Sequence, residues 1–134
     1  MLGEILGVLT AAMGPTPTES TRSPARLFRA GRVLVSEGCV LGDRPYCRPG
    51  AAFLHLSLTA LAVSPDREAD VRARPLPVGG LEPVAVRKRR PGDPAAVRRH
   101  WDVIECRDGG EPVLIGCEPF YTAYIRRVLQ SDGA

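Results

Sequence analysis

The chain has 134 residues, of which 44% are hydrophobic and 25% charged, with 14 Gly and 13 Pro; that is enough for one buried core built of many short elements, and too little for two. The formal charge is only +3, from 18 basic and 15 acidic residues spread along the chain, and a balance of that size does not imply nucleic acid. Four cysteines, Cys39, Cys47, Cys106 and Cys117, are too sparse for a disulfide-dense secreted scaffold, so reduced thiols in a cytoplasmic protein are the expectation.

The chain opens with an apolar run over residues 1–13 whose one charge is Glu4. It falls well short of the ~20 residues a spanning helix needs and lacks the basic start of a signal peptide. Leu2, Ile5, Leu6 and Leu9 fall on one side of a short amphipathic helix, suited to docking on the domain, on a partner or on a membrane surface. A Pro-, Ser- and Thr-rich stretch follows that cannot bury surface to offset its ordering entropy. The organisation expected is a helix over 1–13, a linker over 14–26 and one domain over 27–130.

Within that domain, residues 27–41 read as a strand with Val33 and Val35, a kink or tight turn at Gly38, and a second strand. Residues 42–50 hold two Pro and two Gly and read as a loop. Residues 51–63 form the strongest predicted strand, with Phe53, His55, Ser57 and Thr59 alternating with Leu54, Leu56 and Leu58. A charged turn follows, then a segment in which Pro75, Pro77 and Pro83 suit an edge or an irregular crossing, leading into an apolar strand from Val84 with a basic end.

Two further runs, 101–106 and 113–117, flank Asp108-Gly109-Gly110 and predict a hairpin. A turn centred on the two glycines sets Ile104 opposite Ile115 and Cys106 opposite Val113, giving Ile104, Cys106, Val113, Ile115 and Cys117 one apolar face. Pro119 suits a first helical position, and Phe120, Tyr124, Ile125, Val128 and Leu129 recur at helical spacing with Arg126 and Arg127 opposite.

The fold class expected is therefore mainly β, with a C-terminal capping helix and a short N-terminal helix. Gly31-Arg-Val-Leu-Val-Ser-Glu-Gly, Leu58-Thr-Ala-Leu-Ala-Val, Leu76-Pro-Val-Gly-Gly-Leu-Glu-Pro-Val-Ala-Val-Arg and the stretch from Pro112 to Leu129 together resemble bacterial pleckstrin-homology-like and GRAM-like domains over about residues 27–130. The resemblance implies a partly open barrel or two packed antiparallel sheets, a final helix over one open corner, and binding of lipid headgroups or protein partners without catalytic residues.

Chemistry-bearing residues are few. Arg87, Lys88, Arg89 and Arg90, the turn Pro91-Gly92-Asp93-Pro94, then Arg98, Arg99 and His100 set seven basic-type side chains at one hairpin-like end, where an anionic surface would be attracted. The plainer reading is an edge strand kept from pairing by its charges, and the stacking aromatics of a single-strand binder are missing. Seven residues separate Cys39 from Cys47 and ten separate Cys106 from Cys117, with no CxxC knuckle, so no metal or other cofactor is expected. Cys39 and Cys47 would pair only if the chain were exported.

His55 and His100 have no adjacent nucleophile, and Asp102 and Glu105 lie on opposite faces of their strand, so no enzyme is expected. Two functions remain. One is a protein-interaction or structural module with an unidentified protein partner. The alternative is a peripheral adaptor on anionic lipid at the inner membrane face, using the basic end and the N-terminal helix.

Overall fold

The computed structural model describes residues 24–68 and 71–131. Chain order is helix α1 (Pro24–Arg29), strands β1 (Leu34–Gly42), β2 (Ala52–Leu56), β3 (Leu61–Ser64), β4 (Arg74–Pro75), β5 (Leu81–Lys88), β6 (Asp102–Asp108) and β7 (Glu111–Cys117), and helix α2 (Pro119–Ser131). The strands form one antiparallel sheet of order β4-β3-β2-β1-β7-β6-β5, left unclosed between β4 and β5. The mainly β class with a helix at each end is thus observed. The N-terminal helix, however, is α1, and the predicted stripe Leu2, Ile5, Leu6 and Leu9 lies outside the described residues. Residues 24–26, expected in the linker, instead open α1, with Pro24 at its first position, where proline costs no hydrogen bond.

β1 joins the two halves of the sheet. Its first half pairs with β2, from Leu34 with Leu56 to Gly38 with Ala52, and its second half with β7, from Gly38 with Cys117 to Gly42 with Val113. The turn expected at Gly38 is absent, because the strand runs through this residue while exchanging partners. Glycine is required there by crowding: a Cβ would sit 2.6 Å from Leu54 Cδ1 and 2.7 Å from the Gly116 carbonyl oxygen.

The single long strand expected over residues 51–63 is instead the hairpin β2–β3, closed where the Ser57 N–H donates to the Ala60 carbonyl at 2.9 Å. Folding back lets the backbone pair with itself and gathers Leu54, Leu56, Leu61 and Val63 into one core. The β6–β7 hairpin has the expected register, Ile104 with Ile115 and Cys106 with Val113, around Gly109 (φ 63°) and Gly110 (φ 94°). Two successive positive φ values are what the tight hairpin turn requires.

α2 lies over β5 and β6, burying Ile125, Val128 and Leu129, side chains whose removal from water is worth about 1.5–3 kcal/mol each. Phe120, expected on that buried face, is 59% exposed because at 3.6 residues per turn it falls away from the side of the helix on which Thr122, Ile125, Val128 and Leu129 are buried. α1 packs on α2 through Phe28 and Tyr124, whose ring centroids are 5.1 Å apart. On the other face of the sheet a second cluster, Cys39, Val97, Trp101 and Val103, forms where residues 89–101 fold back as a strap.

Candidate functional site

The strap is built by local bonds. The Arg90 N–H donates to Asp93 Oδ2 at 2.8 Å, the Val97 N–H to the Pro94 carbonyl and the Trp101 N–H to the Arg98 carbonyl. The buried Val97 and Trp101 then anchor it to the sheet.

Most of the predicted basic cluster is engaged within this architecture. Arg87 donates from Nη1 and Nη2 to the two carboxylate oxygens of Asp93, both at 2.9 Å, and from Nε to Glu105 at 2.5 Å. The two-pronged hydrogen bond from Arg87, joined by the Arg90 N–H, holds the Asp93 carboxyl well below the usual carboxylate range. Asp93 and Glu105 in turn hold Arg87 above its ordinary value. Lys88 Nζ lies 2.8 Å from Asp102, and Arg89 donates to the Val97 carbonyl at 2.7 Å.

Arg90 reaches Glu105 at 3.9 Å. Arg98 pairs with Glu37 of β1 at 2.6 Å and stands 5.6 Å over the Trp101 ring. Arg99 and His100 are exposed at the strap's end, His100 with φ 71°. The seven residues therefore share a region without forming one free basic surface, since Glu37, Asp93, Asp102 and Glu105 are interleaved with them.

Asp102 and Glu105 face opposite sides, as their spacing requires. Asp102 accepts from Thr122 Oγ1 of α2 at 2.6 Å, whereas Glu105 meets Arg87. Burial opposes ionisation of Asp102, but Lys88 and Thr122 outweigh it and lower its pKa. The pair ties α2 to β6.

The remaining reactive groups are quiet. Burial pushes the Cys39 and Cys117 thiols up to about 11 and Cys106 to about 12, so none supplies a thiolate near neutral pH. All four cysteines are unpaired, and Cys47 is the one only half-buried. His55 is buried, with Nε2 3.3 Å from the Asp66 carbonyl, and burial lowers its pKa. Among the described residues no group of three or more His, Cys, Asp or Glu is placed to hold a metal ion, and no helix is long and apolar enough to cross a membrane.

The edge strand that Pro83 and the following charges predict is β5, but the groove beside it is not legible in the sequence. Among the described residues β5 has β6 on one side and no strand on the other, and its register shifts between Pro83 and Ala85, leaving Val84 as a bulge. Val84 is 59% and Val86 38% exposed. These residues, with Pro83 and Ala85, floor a groove whose other wall is Arg126 and Gln130 of α2. Ala123, Arg126, Arg127 and Gln130 line a separate open depression on α2, and Gly80, Leu81, Leu129 and Gln130 line another at the start of β5. The sequence signal for the edge itself is an apolar Val84-Ala85-Val86 without strict alternation, directly after a proline that only an edge strand tolerates.

Comparison with known proteins returns no match: no protein-family model, no curated protein and no solved structure is similar to this chain.

Proposed function

We propose that this protein is a non-catalytic interaction module that takes an extended segment of a protein partner along β5, with α2 as the second wall of the site. The observation that carries this reading is the unpaired outer side of β5, where apolar Val84 and Val86 remain exposed beside Arg126 and Gln130. An exposed sheet edge supplies backbone donors and acceptors to an incoming strand, and flanking side chains supply specificity. Arg126 lines the site, and both it and the neighbouring Arg127 are exposed, which favours a segment with an apolar centre and acidic flanks.

The unclosed antiparallel sheet with a helix over β5 and β6 supports the resemblance to pleckstrin-homology-like domains, and the unpaired cysteines suit a cytoplasmic protein. A protein partner is favoured over anionic lipid because the basic end is largely engaged by Asp93, Asp102, Glu105 and Glu37.

Selection from a displayed library of random peptides tests the reading. The expected result is an apolar consensus with acidic flanks whose binding is lost in a Val84→Asp, Val86→Asp double variant. Failure to select any peptide, or selected peptides that bind the double variant equally, would overturn it. Flotation on anionic vesicles that is lost in moderate salt and unaffected by the double variant would move the function to lipid.

A further inference from the structure

We infer that the partner segment carries an acidic residue followed directly by a large apolar one, the first meeting Arg126 on the α2 side of the sheet and the second entering a hollow on the opposite side. The inference rests on the reading of β5 as the strand-accepting edge and adds what that edge selects.

The backbone of β5 sets the register. The Arg89 N–H donates to the Trp101 carbonyl at 3.0 Å, so this residue directs its backbone groups at β6. Hydrogen-bonded pairs alternate along an antiparallel ladder, which gives Arg87 with Val103 and Ala85 with Glu105 the same orientation. Val86 and Lys88 therefore turn their N–H and C=O outward, where an incoming strand meets them about 4.8 Å away.

Side chains of that strand alternate between the two faces of the sheet, and each shares the face of the residue opposite it. Val86 pairs with Ile104, which belongs to the same core cluster as Ile125, Val128 and Leu129 of α2, so the incoming residue opposite Val86 projects to the α2 side. Its neighbour, opposite Ala85, projects to the other face, the one shared by Glu105 and Leu114.

The two faces offer different chemistry. On the α2 side the groove floored by Val84 and Val86 is walled by Arg126, whose exposed guanidinium has no hydrogen bond or ion pair among the described residues. A free cation there attracts a carboxylate. On the other side Val84, Pro112 and Leu114, with Glu105 and Arg107 beside them, line a hollow of about 280 Å³. Both of its charges are already engaged, Glu105 by Arg87 Nε at 2.5 Å and Arg107 by the Gly110 carbonyl at 2.9 Å. What the hollow still offers is apolar contact, and at a size below the roughly 300–1,000 Å³ of small-ligand sites it suits a single side chain. Val84 lines both recesses, which sets them at neighbouring positions along one bound strand.

Antiparallel entry matches every pairing in this sheet and fixes the order. With the chain direction reversed relative to β5, the residue opposite Val86 comes before the residue opposite Ala85. The acidic residue therefore precedes the apolar one.

The test selects displayed random peptides against the full-length chain and against two variants. The wild-type chain is expected to return Asp or Glu directly followed by Leu, Ile, Met or Phe. Arg126→Glu is expected to change the first position to Lys or Arg and keep the second. Leu114→Trp, which fills the hollow, is expected to keep the first and replace the second by Gly, Ala or Ser.

Two affinity measurements stand beside the selections. A synthetic peptide with its acidic residue replaced by Lys should bind the Arg126→Glu variant about tenfold more tightly than the wild-type chain. Pro112→Asp, at an exposed position beside the hollow, spares the partly buried Leu114 and should weaken the unaltered peptide about tenfold by setting a charge against its apolar side chain. Preferences that are not adjacent, that change together in either variant, or that ignore both variants overturn the inference. The two readings fail separately: peptides that need Val84 and Val86 but carry no acidic–apolar pair remove this inference and leave the interaction module standing, whereas a selection that returns no peptide removes the module itself.

Discussion

β4 and β5 end the same sheet, yet they are finished in different ways. β4 is two residues long, Arg74–Pro75. Pro75 has no N–H to offer, and the next residue, the buried Leu76, turns its own N–H onto the Leu61 carbonyl at 2.8 Å. Arg74 is further tied to the Pro45 carbonyl at 2.7 Å. β5 runs for eight residues and is blunted at its start by Pro83 and the bulge at Val84 and at its end by the charges of Arg87 and Lys88. Shortness, proline and bulges are the usual protections of an edge. One edge is protected along its whole length, while the other leaves its middle, with apolar Val84 and Val86, exposed.

The largest effect is expected where both edges share support. Ile115 of β7 stands opposite Val40 of β1 and Ile104 of β6 and is fully buried, so Ile115→Ala should cost about 2–5 kcal/mol in denaturant unfolding. It should weaken the two sides alike; selective loss of one edge by hydrogen exchange would show that the halves fold separately. Next comes Thr122→Val, which removes the hydroxyl donor to Asp102 that holds α2 beside β6. A charge-assisted hydrogen bond lost from a largely buried carboxylate is worth about 1–2 kcal/mol, and exchange should quicken at β5 and α2 before β4.

The Val84→Asp, Val86→Asp pair sharpens the comparison at the surface. Both residues are substantially exposed, so stability should change by less than about 1 kcal/mol while peptide binding is lost. Arg74→Asp on the opposite edge is the matched control and should shift stability by about 0.5 kcal/mol or less with peptide binding unchanged.

The smallest effect is expected from pH. His55 of β2 is buried and its pKa lies below the ordinary 6.5, so the unfolded chain takes up a proton first as pH falls. Its contribution to stability is complete above 6.5 and declines as pH drops below that value toward the folded pKa. Urea midpoints between pH 7.5 and 5.5 should show this decline flattened in His55→Gln, with peptide affinity for β5 untouched by that substitution.

Legibility followed locality. The β6–β7 register was readable because Gly109 and Gly110 are the residues a tight turn demands, and α2 because Pro119 marks a change from period two to period 3.6. The β2–β3 hairpin was hidden because Ser57-Leu58-Thr59-Ala60 contains none of the strong turn formers, so alternation read straight through it. Gly38 by itself suggests a kink or tight turn, but its real constraint is the Gly116 carbonyl and Leu54, from other strands of the sheet. The basic end was visible as a run of charges. Of the carboxylates that engage it, only Asp93 lay in view, whereas Glu37, Asp102 and Glu105 are brought to it by neighbouring strands.

By itself the sequence determined the β-rich class, the C-terminal helix and the apolar face of the last hairpin, since each depends on side-chain period and turn chemistry over a few adjacent residues. Only the tertiary structure decided which cations are spent on internal carboxylates and that β5 remains open beside α2. Both depend on which strands meet in the sheet and which edge is left without a neighbour.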